Sequence, residues 1–173
     1  MTQNSFYFLI IVFMYLFKTL HAQGPEPGDI YKEYSRTMGQ TNSNWRVTDP
    51  NVQVLRAQRH LPNGKLIIDI DDLQHAIKAE ILIDRWGGHA GTSNKKIRFN
   101  GNDWIDLPEL TTTPSGTDPE EYMYQDNPVI NIPLYHLHEG ENWFQGTCDD
   151  PDKWWPQWGW DGVIVRIYYD KNK

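Results

Sequence analysis

Four of the eight tryptophans fall within seven residues, in the stretch Trp154-Trp155-Pro156-Gln157-Trp158-Gly159-Trp160-Asp161-Gly162. A tryptophan offers a flat apolar face and one indole N–H donor at low entropic cost. A cluster of them can stack on the C–H face of a pyranose while neighbouring amides and carboxylates bond its hydroxyls. Adjacent side chains of a strand point to opposite faces, and Pro156 and Gly159 interrupt any regular ladder, so Trp154 and Trp155 cannot both face one core. The segment is therefore expected to leave at least one of Trp154, Trp155, Trp158 and Trp160 exposed as a recognition surface, with Gln157 and Asp161 as hydroxyl partners. The competing reading is that two of the rings cap an open end of the core.

A second constellation is Arg85, Trp86, His89 and Arg98. The first three end one strand-like segment and Arg98 follows the next loop, so the group can converge. A histidine beside an arginine could act as general base on a sugar, or the pair could hold the carboxylate or sulfate of an acidic glycan. Against this stands a plain Gly87-Gly88 turn, with His89 bonded to backbone and Arg85 paired to Asp84 or Glu80. His136 and His138 have the strand spacing that would put both on one face, as zinc would need, but no third ligand is suggested; solvated or core histidines are the alternative. Asp149-Asp150-Pro151-Asp152 could hold a structural calcium, yet it lacks the one-apart spacing and glycine of a calcium loop, and a solvated acidic turn competes with it. No other cofactor and no metal ligand is assigned. Asp103, Asp106 and Glu109 invite a glycosidase reading, which needs two acids at a set separation that sequence does not provide. Cys148 has no histidine near it in sequence and reads as a small, partly buried residue. No residue is assigned a catalytic role.

The first 22 residues set the compartment. Phe6 to Phe17 is an almost unbroken apolar run, followed by a short stretch ending Leu20-His21-Ala22, and the chain turns Pro-rich and charged from Gln23. This reads as a secretory signal cleaved after Ala22, with an uncleaved anchor as the alternative; no second segment approaches membrane length. The product is expected to be secreted, periplasmic or held at the cell surface. Removing residues 1–22 takes away one lysine and no acid, so the net charge moves from −7 to −8 over 151 residues. An acidic balance speaks against nucleic acid, which needs clustered Lys and Arg; Lys95-Lys96-Ile97-Arg98 is the one dense basic spot and suits a solvated strand edge. A single cysteine leaves the domain to rest on an ordinary hydrophobic core, which this length can provide. Nothing in the sequence sets an oligomeric state.

These residues must be positioned by short strands. Residues 23–50 are rich in Pro, Gly and polar groups and read as an arm or linker lying on the domain, pinned by Tyr31 and Tyr34. From residue 51 a period of two takes over: Val52 to Leu55, then a turn at Leu61-Pro62-Asn63-Gly64, then a strand from Lys65 to Asp71. Leu73 to Trp86 mixes helical and strand spacing and reads as a short turn followed by a strand, with a loop at 87–92. Lys96 to Phe99 and Trp104 to Leu107 form a hairpin about Asn100-Gly101-Asn102-Asp103, with Ile97 and Phe99 on one face and Trp104 packed opposite them. A polar loop spans 111–121. Strands follow at Val129–Leu134, Trp143–Thr147 and Val163–Tyr169, with a turn at 138–142. Seven or eight short strands at this spacing imply an all-β, antiparallel β-sandwich over residues 51–173.

Three places in that order resemble the galactose-binding-like jelly roll of many carbohydrate-binding modules. They are the Asn100-Gly101-Asn102 hairpin after Ile83-Asp84; the phrase Ile132-Pro133-Leu134, Leu137, Glu139-Gly140-Glu141-Asn142, Phe144; and the closing Gly162-Val163-Ile164-Val165-Arg166-Ile167-Tyr168-Tyr169. The resemblance spans roughly residues 77–170 and implies a fold and a carbohydrate partner without naming a sugar. The tryptophan segment and Trp86-Gly87-Gly88-His89 have no counterpart in it. The reading that results is an exported, non-catalytic glycan-binding domain. A small polysaccharide lyase or hydrolase using His89, Arg85 and Tyr124 is the first alternative, and an adhesive protein-binding domain the second.

Overall fold

Alternation of apolar and polar residues builds both sheets of the computed structural model, which describes residues 24–37, 46–48, 65–88, 92–109, 125–149 and 157–172. Its strands are β1 (Ile30–Thr37), β2 (Arg46–Thr48), β3 (Leu66–Ile70), β4 (Ala76–Trp86), β5 (Ser93–Phe99), β6 (Ile105–Asp106), β7 (Gln125–Asp126), β8 (Val129–Ile132), β9 (Gly140–Asp149) and β10 (Gln157–Tyr169). A 3₁₀ turn covers Leu134–His136. The first sheet runs β1-β10-β4-β7, with β2 also on β10 and β8 also on β4; the second runs β3-β9-β5-β6. All the pairings are antiparallel. The chain passes repeatedly from sheet to sheet and pairs its first strand with its last, the winding of a jelly-roll β-sandwich.

The core follows from the period of two. Ala79, Ile81 and Ile83 of β4 and Val163, Val165 and Ile167 of β10 face Leu66, Ile68 and Ile70 of β3, Ile97 and Phe99 of β5, and Phe144 of β9, all of them buried. Cys148 is buried among them, a small core side chain.

Three local readings change. Residues Ile30–Thr37, expected within an arm, enter the first sheet as an edge strand along the C-terminal part of β10, from Ile30 opposite Tyr169 to Thr37 opposite Gly162. Their mostly polar, exposed residues are what an edge tolerates and what hides a strand from a hydrophobic pattern. Trp104 lies on the outward side, against Arg98, away from the buried Ile97 and Phe99. The last strand begins at Gln157, six residues before the apolar run. The strand expected at Val52–Leu55, the Asn63-Gly64 turn, the 111–121 loop and the signal segment lie outside the described residues. No described helix is long and apolar enough to cross a membrane.

Candidate functional site

The facing of the tryptophans is set by one extra residue. In β10, Trp160 pairs with Arg85 and Gly162 with Asp84, so Asp161 is the unpaired residue of a β-bulge. Val163, Val165 and Ile167 are inward and odd-numbered. A strand without the bulge would turn the even-numbered Trp158 and Trp160 outward with Ile164 and Arg166; the bulge reverses the parity and turns them into the core. Their exposures are 0% and 1%. Trp160 meets Phe144 edge-on at 4.9 Å between centroids and Trp158 at 5.6 Å, and Trp158 Nε1 donates to the Thr147 carbonyl at 3.0 Å. Trp160 Nε1 is buried with no hydrogen-bond partner. Neither ring is open to a ligand, so both leave the expected stacking surface. Trp154 and Trp155 lie outside the described residues, as does His89.

The bulged Asp161 remains at the rim, partly exposed, where its carboxylate accepts from Gln125 Nε2 at 3.1 Å. The backbone of Gln157 starts β10 beside it. Trp86, half-buried, pairs across to Gln125 and Gly159 and belongs to the same rim. Beneath it, Arg85 does not reach outward. Its side chain is wholly buried; Nε and Nη2 each donate to Asp126 at 2.6 Å, and Nη1 donates to the Pro108 carbonyl at 2.8 Å. A buried guanidinium demands such a partner, and with its fork filled Arg85 is a structural ion pair rather than a ligand contact. Lys95, also buried, is held the same way by Glu109 at 2.9 Å and by the Thr92 carbonyl.

Arg98 stands apart from Arg85, so the expected convergence does not form. Arg85 closes the interior at one end, while Arg98 lies on the outward face of the second sheet. Its guanidinium carbon sits 4.2 Å from the Trp104 ring centre and 5.8 Å from that of Trp143, and Lys65 Nζ lies 3.9 Å from the Trp143 ring centre. Nε and Nη2 of Arg98 both donate to Gln145 Oε1, at 2.9 and 2.7 Å. Trp104 and Trp143 were missed as surface residues by sequence reasoning, although the parity of β9 shows it: with Phe144 inward, Trp143 must face out.

At the opposite end the two motifs of the resemblance meet. Asn100 Nδ2 donates to Asn142 Oδ1 at 2.8 Å, and Trp143 N donates to Asn100 Oδ1 at 3.0 Å. Asn142, fully buried, donates in turn to the carbonyls of His138 and Gly140. The Asn-Gly turn and the Gly-x-Asn phrase thus staple each other, with Asn100 and Gly101 at positive φ. Their role is structural. His136 is buried and His138 exposed, so the two imidazoles do not share a face.

No family model matches the chain. No curated protein matches it either. Among solved structures it is similar to a CBM35 from Cellvibrio japonicus, at 15% identity and a TM-score of 0.39, covering 80% of this chain and 99% of that one. It is also similar to an exo-β-1,3-galactanase from Phanerochaete chrysosporium with galactose, at 11% identity and a TM-score of 0.36 over 78% of this chain; the chain spans 29% of that enzyme. Neither likeness transfers a site residue to this chain.

Proposed function

We propose that the chain is an exported, non-catalytic carbohydrate-binding domain that recognises a glycan at the loop-bearing end of its sandwich. The observation that carries this reading is topological. The ends of β4, β6 and β9 and the starts of β5, β7 and β10 lie together: Trp86 pairs with Gln125 and Gly159, Ser93 pairs with Asp149, and Leu107 N bonds the Lys95 carbonyl. The connections 87–92, 107–124 and 150–156 therefore all leave from one end, and they hold His89, Tyr122, Tyr124, Trp154 and Trp155. A rigid floor with aromatic-bearing loops above it is the arrangement on which binding sites are commonly built. Trp154 and Trp155 are the stacking candidates. Gln157 and the bulged Asp161 are proposed as the hydroxyl partners, with His89 of the 87–92 connection as a further contact. Burial of Trp158 and Trp160 supports this division, because it withdraws those two rings from any recognition surface.

The test sets binding against turnover. The chain from residue 23 onward should be retained by insoluble polysaccharide in a pull-down while releasing no reducing ends or unsaturated products over prolonged incubation. Steady product release that disappears in His89→Ala would replace the binding reading with an enzymatic one.

A further inference from the structure

We propose that the outward face of the second sheet is a separate binding surface for an acidic polysaccharide, built from Trp104, Arg98, Trp143 and Lys65. Cations and rings are interleaved there: Arg98 lies between the two indoles, 4.2 Å from Trp104 and 5.8 Å from Trp143, and Lys65 lies 3.9 Å over Trp143. Two features mark this strip as more than a solvated sheet face. In a chain of net charge −7, neither cation has a carboxylate partner among the described residues, although neighbouring Lys96 pairs with Asp106 at 3.2 Å. Arg98 is also preorganised. Gln145 Oε1 takes its Nε and Nη2 donors and Trp104 lies against its plane, while Nη1 makes no hydrogen bond to a described residue. A guanidinium held in this way accepts an oxyanion bidentately with little further ordering cost.

The rings say what should carry that oxyanion. Trp104 is 38% exposed and Ile67, beside Trp143 across β3 and β9, is 41% exposed, so flat apolar area adjoins the two cations. A pyranose bearing a carboxylate or sulfate matches both features at once, with its C–H face on indole and its charge on Arg98 and Lys65. A single-stranded nucleic acid would also stack, but its phosphates call for a longer basic track than two unpaired cations supply.

Affinity electrophoresis of the full chain in gels holding defined polymers tests the surface. Polygalacturonate is compared with its methyl ester, and dextran sulfate with dextran. Retardation by a charged polymer but not by its neutral counterpart is expected, and the arm that responds identifies carboxylate or sulfate. Trp104→Ala and Arg98→Gln should each weaken retardation by about tenfold or more, and Lys65→Gln by about two- to fivefold, as a charge near the rim does. Lys65 is exposed and bonds no described carboxylate, so its variant should fold normally and keeps the test valid should Arg98→Gln unfold. Ile77→Ala, exposed on β4 of the other sheet, should leave this retardation unchanged. Equal retardation by dextran, wild-type retardation of Trp104→Ala and Lys65→Gln, or stronger binding of a single-stranded DNA oligomer would each overturn the proposal.

Discussion

Gly146 of β9 shows how tightly two of the tryptophans are committed. A Cβ built on it would stand 2.8 Å from Val47 Cγ2 and 2.9 Å from Trp158 Cζ2, closer than real Cβ contacts come, and a tight 3.2 Å from Trp160 Cζ3. The glycine is the seat on which rings from the opposite sheet rest, and the backbone freedom of glycine is incidental to it. Gly146→Ala is accordingly predicted to cost about 1 to 3 kcal/mol through overpacking. Urea unfolding of the variant checks this, and a midpoint equal to that of the parent would show that the rings have room to move. Sequence reading weighed exposure for all four clustered tryptophans because periodicity gives only relative facing along an unbroken strand. A one-residue bulge at Asp161 leaves no mark in composition, yet it decides which side two indoles occupy. Arg85 failed as a ligand contact for a similar reason. Its partner Asp126 is 41 residues away, and no local rule joins them.

At the scale of elements, most strands with a buried face were legible, because alternation reports burial directly. The strand read over Lys65–Asp71 is β3, the turn-then-strand over Leu73–Trp86 is the turn at 74–75 and β4, and the Asn100-Gly101 hairpin joins β5 to β6. The strand β1 escaped because polar side chains cover it and tertiary contacts, rather than pattern, hold it. Tyr34 donates to Asp71, and Lys32 reaches Asp72 at 3.1 Å. On the outward face of the first sheet, Arg166 Nη2 bonds Glu33 of β1 at 2.7 Å while its Nη1 bonds Glu80 of β4. Glu80 is fully buried there and also takes Lys78 at 2.8 Å and the Tyr168 hydroxyl. Burial alone would raise the Glu80 carboxyl, but the bonds from Lys78, Tyr168 and Arg166 outweigh it and hold the group below its ordinary value. Burial, together with donation to Glu80, pushes the Tyr168 hydroxyl up.

A carboxyl with a depressed value binds fewer protons in the folded than in the unfolded chain, so it adds stability that rises with pH. That contribution is complete above the ordinary glutamate value of about 4.3 and is lost as pH falls from there through the folded value. Glu80→Gln leaves Lys78 beside a neutral amide and Arg166 with Glu33 as its one carboxylate among the described residues, and is predicted to cost about 3 kcal/mol at neutral pH, in the range for breaking a buried pair. Its unfolding free energy should also fall less steeply between pH 5 and 3 than that of the parent. Parallel acid limbs for the two proteins would show that Glu80 is not the titrating group.

For the whole molecule, the architecture divides the work between two ends and two faces. One end is closed by the Asn100–Asn142 staple, whose residues the resemblance had picked out and whose role proves to be structural. The other end, from which the connections 87–92, 107–124 and 150–156 leave, is braced by Arg85–Asp126 and Lys95–Glu109, and Trp154 and Trp155 of those connections are the proposed platform. That glycan binding belongs to this end is the central claim, and one paired measurement tests it most directly: polysaccharide affinity and thermal unfolding of Trp155→Ala beside Trp158→Ala. A platform ring contributes to binding and little to folding, so Trp155→Ala should lose about 2 kcal/mol or more of affinity with its melting temperature nearly unchanged. Trp158, fully buried, should show the reverse and lose about 3 to 5 kcal/mol of stability. A Trp155→Ala protein that binds polysaccharide as tightly as the parent would contradict the claim.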